Sequence, residues 1–203
     1  MLNGSVLYEE AHKLQLKFAA APVAVTVPFK DIDKNGNKDA IINLYNKGIF
    51  KAADKFNPAN NLTRSQFALM LNRALNLDVA AKQKFSDLPK DAEAVKAINA
   101  LNGYGIINGT STTTFSPGKD ITRKQAALMI YRVFEKNGYK ATGVTSNFTD
   151  LPKDAEAVKA INELNNLGIM TGYNGQVTPN AVLTRSQMAK IVNNTLNVLL
   201  ELK

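Results

Sequence analysis

The sequence predicts an all-α fold: three helix–loop–helix units in a pseudo-threefold assembly, with one extra helix at the N-terminus. Three observations carry that prediction. The stretch Phe115–Gln125, F-S-P-G-K-D-I-T-R-K-Q, returns as Phe56–Gln66, F-N-P-A-N-N-L-T-R-S-Q, and as Val177–Gln187, V-T-P-N-A-V-L-T-R-S-Q. Asp87–Asn99 and Asp150–Asn162 are the same residues, D-L-P-K-D-A-E-A-V-K-A-I-N. Each Thr-Arg-x-Gln leads into an apolar stripe of helical spacing, and three similar faces in one chain are most simply buried against one another.

Composition narrows the function. With 203 residues, 45% apolar and 21% charged, the chain can bury a core. Its 25 Lys and Arg against 17 Asp and Glu give a net charge of +8, which suits a polyanionic partner such as nucleic acid, anionic lipid or acidic polysaccharide. Cysteine is absent, which excludes disulfides, thiol chemistry and cysteine-type zinc sites, and His12 alone cannot build a zinc or triad site. No G-x-S-x-G elbow or phosphate loop occurs, so neither an enzyme nor a cofactor is expected. No apolar run approaches the roughly 18–20 residues of a membrane span. Met1–Glu10 lacks the pattern of a secretory signal, which leaves an intracellular protein or a processed or excised piece of an exported one.

Residues 1–28 form a leader to the repeats. Leu7, Ala11, Leu14 and Phe18 mark one face of an amphipathic helix over Ser5–Phe18. Pro22, Pro28 and the β-branched residues between them then predict an extended connector.

Three units follow, 29–84, 85–147 and 148–203, with Thr63, Thr122 and Thr184 recurring about every 60 residues. Phe29, Phe85 and Phe148 each stand two places before an aspartate, Asp31, Asp87 or Asp150. A first helix comes next, marked by Ala94, Val95, Ile98 and Leu101 and by Ala157, Val158, Ile161 and Leu164; Ile42 is the expected counterpart of Ile98 and Ile161. Gly48-Ile49, Gly105-Ile106 and Gly168-Ile169 end it, with glycine in a left-handed cap and isoleucine returning to the core. A glycine-bearing loop, with Gly109 in one unit and Gly172-Tyr173-Asn174-Gly175 in another, delivers the chain to a second helix. There Thr63, Thr122 and Thr184 act as N-caps, with Gln66, Gln125 and Gln187 closing a capping box.

Arg64, Arg123 and Arg185 occupy the first turn of these helices. A cation there opposes the macrodipole at a cost of about 0.3–1 kcal/mol. Its threefold recurrence suggests that guanidinium and free backbone donors are aimed together at an anion.

The ordered set of F-x-D, Gly-Ile, loop glycines, F-x-P and Thr-Arg-x-Gln, in triplicate from Phe29 to about Leu199, resembles the S-layer homology (SLH) domain. The resemblance implies a three-pronged helical spindle, monomeric with internal pseudo-threefold symmetry. It implies a secreted bacterial protein, held to the cell wall or S-layer through an acidic, pyruvylated secondary cell wall polysaccharide linked to peptidoglycan. The family's Thr-Arg arginine lies in a groove between adjacent motifs, so Arg64, Arg123 and Arg185 are the implied anion ligands. Arginine's planar fork suits a ketal carboxylate. Gly109 and Gly172 match loop positions where a sugar could approach the backbone, and Tyr173 offers a ring and a hydroxyl. Gln66, Gln125 and Gln187 replace the family's usual acid, and Glu93 and Glu156 stand about where many members carry tryptophan. The loop after Gly48 is short and lacks a second glycine, so Arg123 and Arg185 are expected in complete sites and Arg64 in a curtailed one.

Other readings compete. Asp31, Asp33, Asn35, Asn37 and Asp39 place oxygens as the start of a calcium loop does, but position 12 is Ile42, leaving a calcium-dependent adhesion module as an alternative. Asp31, Asp87 and Asp150 either orient an arginine, bind a sugar hydroxyl, or hold a turn. A basic helical-repeat nucleic-acid binder is the other alternative, opposed by the absence of a single basic recognition helix.

Overall fold

The computed structural model describes residues 27–78 and 83–202, so the leader helix and most of its connector lie outside the described residues. Six α-helices occur there: α1 (Lys38–Asn46), α2 (Arg64–Leu75), α3 (Ala92–Gly103), α4 (Arg123–Lys136), α5 (Ala155–Asn166) and α6 (Arg185–Glu201). Among the described residues there are no strands, only isolated bridges. None of these helices is long and apolar enough to cross a membrane.

Local signals set the helix ends. Thr63, Thr122 and Thr184 accept the N–H of Gln66, Gln125 and Gln187, whose side chains accept the threonine N–H in return, completing all three capping boxes. The second aspartate of D-L-P-K-D, Asp91 or Asp154, caps α3 or α5 by accepting from Ala94 or Ala157. Gly48, Gly105 and Gly168 have φ of 73°, 71° and 67°. The N–H groups of Ile49, Ile106 and Ile169 return to the carbonyls of Leu44, Leu101 and Leu164, the Schellman arrangement.

The apolar stripes that follow Thr-Arg-x-Gln are buried: Phe67, Met70, Leu71 and Ala74 in α2, Met129, Ile130, Val133 and Phe134 in α4, and Met188, Ile191, Val192, Leu196 and Leu199 in α6. The first helices differ in detail. Ala97 and Ala160 are buried while Val95 and Val158 are only half-buried. Ile41, fully buried, is the counterpart of Ile98 and Ile161, and Ile42 sits at the margin. The expected register of α1 was therefore one residue off, because the span from Phe29 to Ile41 is one residue shorter than those from Phe85 to Ile98 and from Phe148 to Ile161.

The motifs interlock. α2 packs on α3, α4 on α5, and α6 on α1, so each prong joins the second helix of one motif to the first helix of the next. At the centre Ile121 N–H donates to Leu62 C=O (2.9 Å), Leu183 N–H to Ile121 C=O (3.0 Å), and Leu62 N–H to Leu183 C=O (3.0 Å). This closed triangle of fully buried residues lies on the pseudo-threefold axis.

One connection is strapped down by buried polar groups. Between α4 and the third motif, Glu163 (1% exposed) accepts from Tyr139 hydroxyl (2.9 Å), Thr142 hydroxyl (3.0 Å) and Gly143 N–H (2.8 Å). Asn162 Oδ1 accepts from the Ser146 hydroxyl and N–H.

Candidate functional site

The loop before each second helix is held by the F-x-D aspartate across the motif. Asp31 accepts from the N–H of Phe56 and Asn57, Asp87 from Phe115 and Ser116, and Asp150 from Val177 and Thr178, all at 2.7–2.8 Å. The second residue of each pair is left-handed and precedes proline: Asn57 at φ 55°, Ser116 at 57°, Thr178 at 50°. That conformation is unfavourable for a residue with a Cβ and more so before proline, and the two carboxylate bonds hold it. Burial raises the Asp31 and Asp87 carboxyls, but the N–H donations and a nearby cation outweigh it and leave both below the usual carboxylate value. These aspartates hold a turn, and they do so from 25 or more residues away in sequence rather than by a local Asx bond.

Each arginine crosses to the next motif. Arg64 Nε donates to Phe115 C=O (2.9 Å) and Nη2 to Asn108 C=O (3.2 Å). Arg123 Nε donates to Val177 C=O (2.7 Å) and Nη2 to Thr171 C=O (2.9 Å). Arg185 Nε donates to Phe56 C=O (2.8 Å). The aspartates thus act on the arginines indirectly, by fixing the carbonyls that receive them. Burial lowers each guanidinium pKa, opposed by the charges of Asp87, Asp150 and Asp31 in turn.

Two sequence expectations need correction. The backbone donors of the helix starts are not free. Arg64, Arg123 and Arg185 N–H donate to the carbonyls of Lys119, Ala181 and Asn60, and the next N–H in each helix donates to Pro117, Pro179 or Pro58. With the third donor taken by the capping threonine, none of these three helix starts is left to cradle an anion. The ranking of the arginines also changes. Because each reaches one motif forward, Arg64 sits against the full loop of the second motif, and Arg185 sits against the shortened loop of the first.

Gly109 and Gly172 have an internal reason to be glycine. A Cβ at Gly172 would stand 2.3 Å from Phe148 Cε1 and 2.5 Å from Gln176 O; at Gly109 it would stand 2.3 Å from Thr114 O and 2.7 Å from Phe85 Cε1. In the second and third motifs the opening phenylalanine packs where the side chain would be.

The structure gathers Arg123, Gly172, Tyr173 and Gln187 into one cleft of about 350 Å³ between the second and third motifs. Lys190, Asn37, Thr171, Gln176 and Thr178 also line it, over a floor that includes Ile169, Met170 and Ile191. Tyr173 is 81% exposed. Gln187 uses Oε1 in its capping box, which leaves its amide donors unassigned. Lys190 was missed in the sequence because it lies on the polar side of an ordinary amphipathic pattern. Gln66, Gln125, Gly109, Asp31, Asp87 and Asp150 do not line this cleft.

The calcium-loop side chains have other partners. Asp31 holds Phe56 and Asn57, Asp33 pairs with Lys38 (2.6 Å), and Asn35 and Asn37 bond Ser186 of α6. α1 already begins at Lys38, before Asp39. Among the described residues no group of three or more His, Cys, Asp or Glu converges as a metal site would need.

Three interlocked helix–loop–helix motifs, closed into a ring with a cationic inter-motif cleft, define a tandem-repeat module. The S-layer homology domain profile matches residues 28–68, 84–127 and 147–189, and the chain belongs to that family. It is 31% identical to the Surface-layer 125 kDa protein of Lysinibacillus sphaericus over 187 residues, 88% of this chain and 16% of that protein. It is 31% identical to an Endoglucanase of a Bacillus species, over 83% of this chain and 19% of that enzyme. It is 30% identical to the Cellulosome-anchoring protein of Acetivibrio thermocellus, over 83% of this chain and 39% of that protein. The chain therefore spans well under half the length of these relatives.

Proposed function

We propose that this chain is a non-enzymatic anchoring module that holds a protein to a bacterial cell wall or S-layer by binding an acidic, pyruvylated secondary cell wall polysaccharide. The observation that carries the reading is the inter-motif cleft. Among the described residues it is lined by Arg123 and Lys190, by amide and hydroxyl groups, and by no carboxylate. Arg123 already gives Nε and Nη2 to the protein, and among the described residues Nη1 has no partner. A ketal carboxylate would meet that nitrogen and the Lys190 ammonium, while Tyr173 stacks on a sugar face. The relatives support the assignment. The similar segment recurs in a surface-layer protein, a cellulosome-anchoring protein and an endoglucanase, as expected of an attachment unit carried by different cargo. The test is sedimentation with purified Lysinibacillus sphaericus walls before and after extraction of their secondary polymer. Binding should vanish with extraction; equal sedimentation with stripped walls would overturn the reading.

A further inference from the structure

The three grooves are related by the repeat but are not chemically equivalent, and the differences converge on one of them. Beside Arg64 the second motif supplies Thr110, Asp120 and Leu128 at the positions where the third motif gives the Arg123 cleft Tyr173, Val182 and Lys190. The Arg64 groove therefore has a carboxylate where the Arg123 cleft has a valine, and a leucine where the cleft has a cation. Arg64 is only 3% exposed, its guanidinium 4.6 Å from the Phe115 ring centroid and its Nε and Nη2 both committed to carbonyls.

The Arg185 groove fails differently. Its wall is the short loop from Ile49 to Phe56, which has no counterpart of the Gly172–Gln176 turn, and Leu69 stands in the place of Lys190. Arg185 rests on the Phe56 ring at 4.6 Å. In the Arg123 cleft the residue corresponding to Phe56 and Phe115 is Val177, so that guanidinium has no ring beneath it.

We infer that the chain has a single working groove, between the second and third motifs, and that Lys190, with Val182 in place of an acid, makes it select a unit carrying two negative charges or a second acidic group next to the first. The inference rests on the polymer-binding reading above. Asp150 lies near Arg123, but its carboxylate is committed to the N–H groups of Val177 and Thr178 and does not line the cleft. Two cations therefore face a ligand with no facing acid among the described residues, and a singly charged sugar would meet only one of them.

Calorimetric titration with single-repeat fragments of the secondary polymer from Lysinibacillus sphaericus walls tests it. The expected stoichiometry is one fragment per chain. Lys190→Leu and Val182→Asp, which import the chemistry of the Arg64 groove, should each weaken binding by about tenfold or more, with unchanged melting temperature. Fragments stripped of one of two acidic groups should lose affinity for the wild type but not for Lys190→Leu. A stoichiometry of two or three, or unchanged affinity in Lys190→Leu, would overturn the single groove while leaving polymer binding intact. Failure of the wild type to bind either fragments or walls would overturn both.

Discussion

Arg185 Nε lies 2.8 Å from the carbonyl oxygen of Phe56, 129 residues earlier, and that bond joins the last motif to the first. The corresponding bonds from Arg64 to Phe115 and from Arg123 to Val177 make it one member of a cycle. Arginines that look like ligand-binding residues in the sequence are also the staples of the fold.

Removing a staple should therefore cost stability. Arg185→Ala is expected to lose about 2–4 kcal/mol in urea unfolding, from one charge-assisted hydrogen bond and one cation–π contact. Arg185→Lys should recover little, because an ammonium cannot reproduce the flat seat on the Phe56 ring. Wild-type stability in Arg185→Ala would show that helix packing alone closes the ring.

Gly172→Ala should destabilise by about 1–3 kcal/mol, through overlap with the Phe148 ring and Gln176 O. If instead melting is unchanged and only wall binding falls, the glycine serves ligand approach rather than packing.

The left-handed turn offers a stabilising change. Thr178 at φ 50° is β-branched, while Asn57 fills the equivalent place in the first motif. Thr178→Asn should raise stability by roughly 1 kcal/mol. Asp150→Ala, which frees the N–H groups of Val177 and Thr178, should lower it by about 2–4 kcal/mol. Both are read from chemical denaturation midpoints.

Glu163 gives a pH signature. Burial raises its pKa, but Gly143 N–H and the Tyr139 and Thr142 hydroxyls outweigh burial and hold it below the usual carboxylate value. Its stabilisation is complete above the unfolded value of about 4.3 and is lost as pH falls below that. Tyr139 is pushed up to about 12, by burial first and the Glu163 carboxylate second. Its stabilisation is complete below about 10 and is lost as pH rises toward 12. Melting temperature should thus be level between these limits and fall on both sides, and Glu163→Gln should make the acid limb shallower, leaving the share of Asp31 and Asp87. An unchanged acid limb would place the titrating group elsewhere.

What the sequence made legible was local. Capping boxes, Gly-Ile stops and apolar stripes involve residues three to five apart, and the sequence alone marked them at Thr63, at Gly105 and along Ile98 and Leu101. What it hid was reach. Nothing near Asp150 in sequence says that its carboxylate holds Val177, and nothing near Arg64 says that it serves the second motif instead of its own. That forward step by one motif moved the shortened loop from Arg64 to Arg185 and left Arg123 in a complete site. The cleft itself was half visible, since Arg123, Gly172 and Tyr173 carried motif signals while Lys190 carried none.

The hydrogen-bonded triangle of Leu62, Ile121 and Leu183 has a consequence for how the molecule comes apart. An open array of repeats unravels from its ends, because each terminal unit has one neighbour instead of two. Here the first and last motifs are neighbours, so there is no end from which fraying can start. A pull on either terminus must break the circle before any motif can peel away, and all three should then let go in one cooperative event.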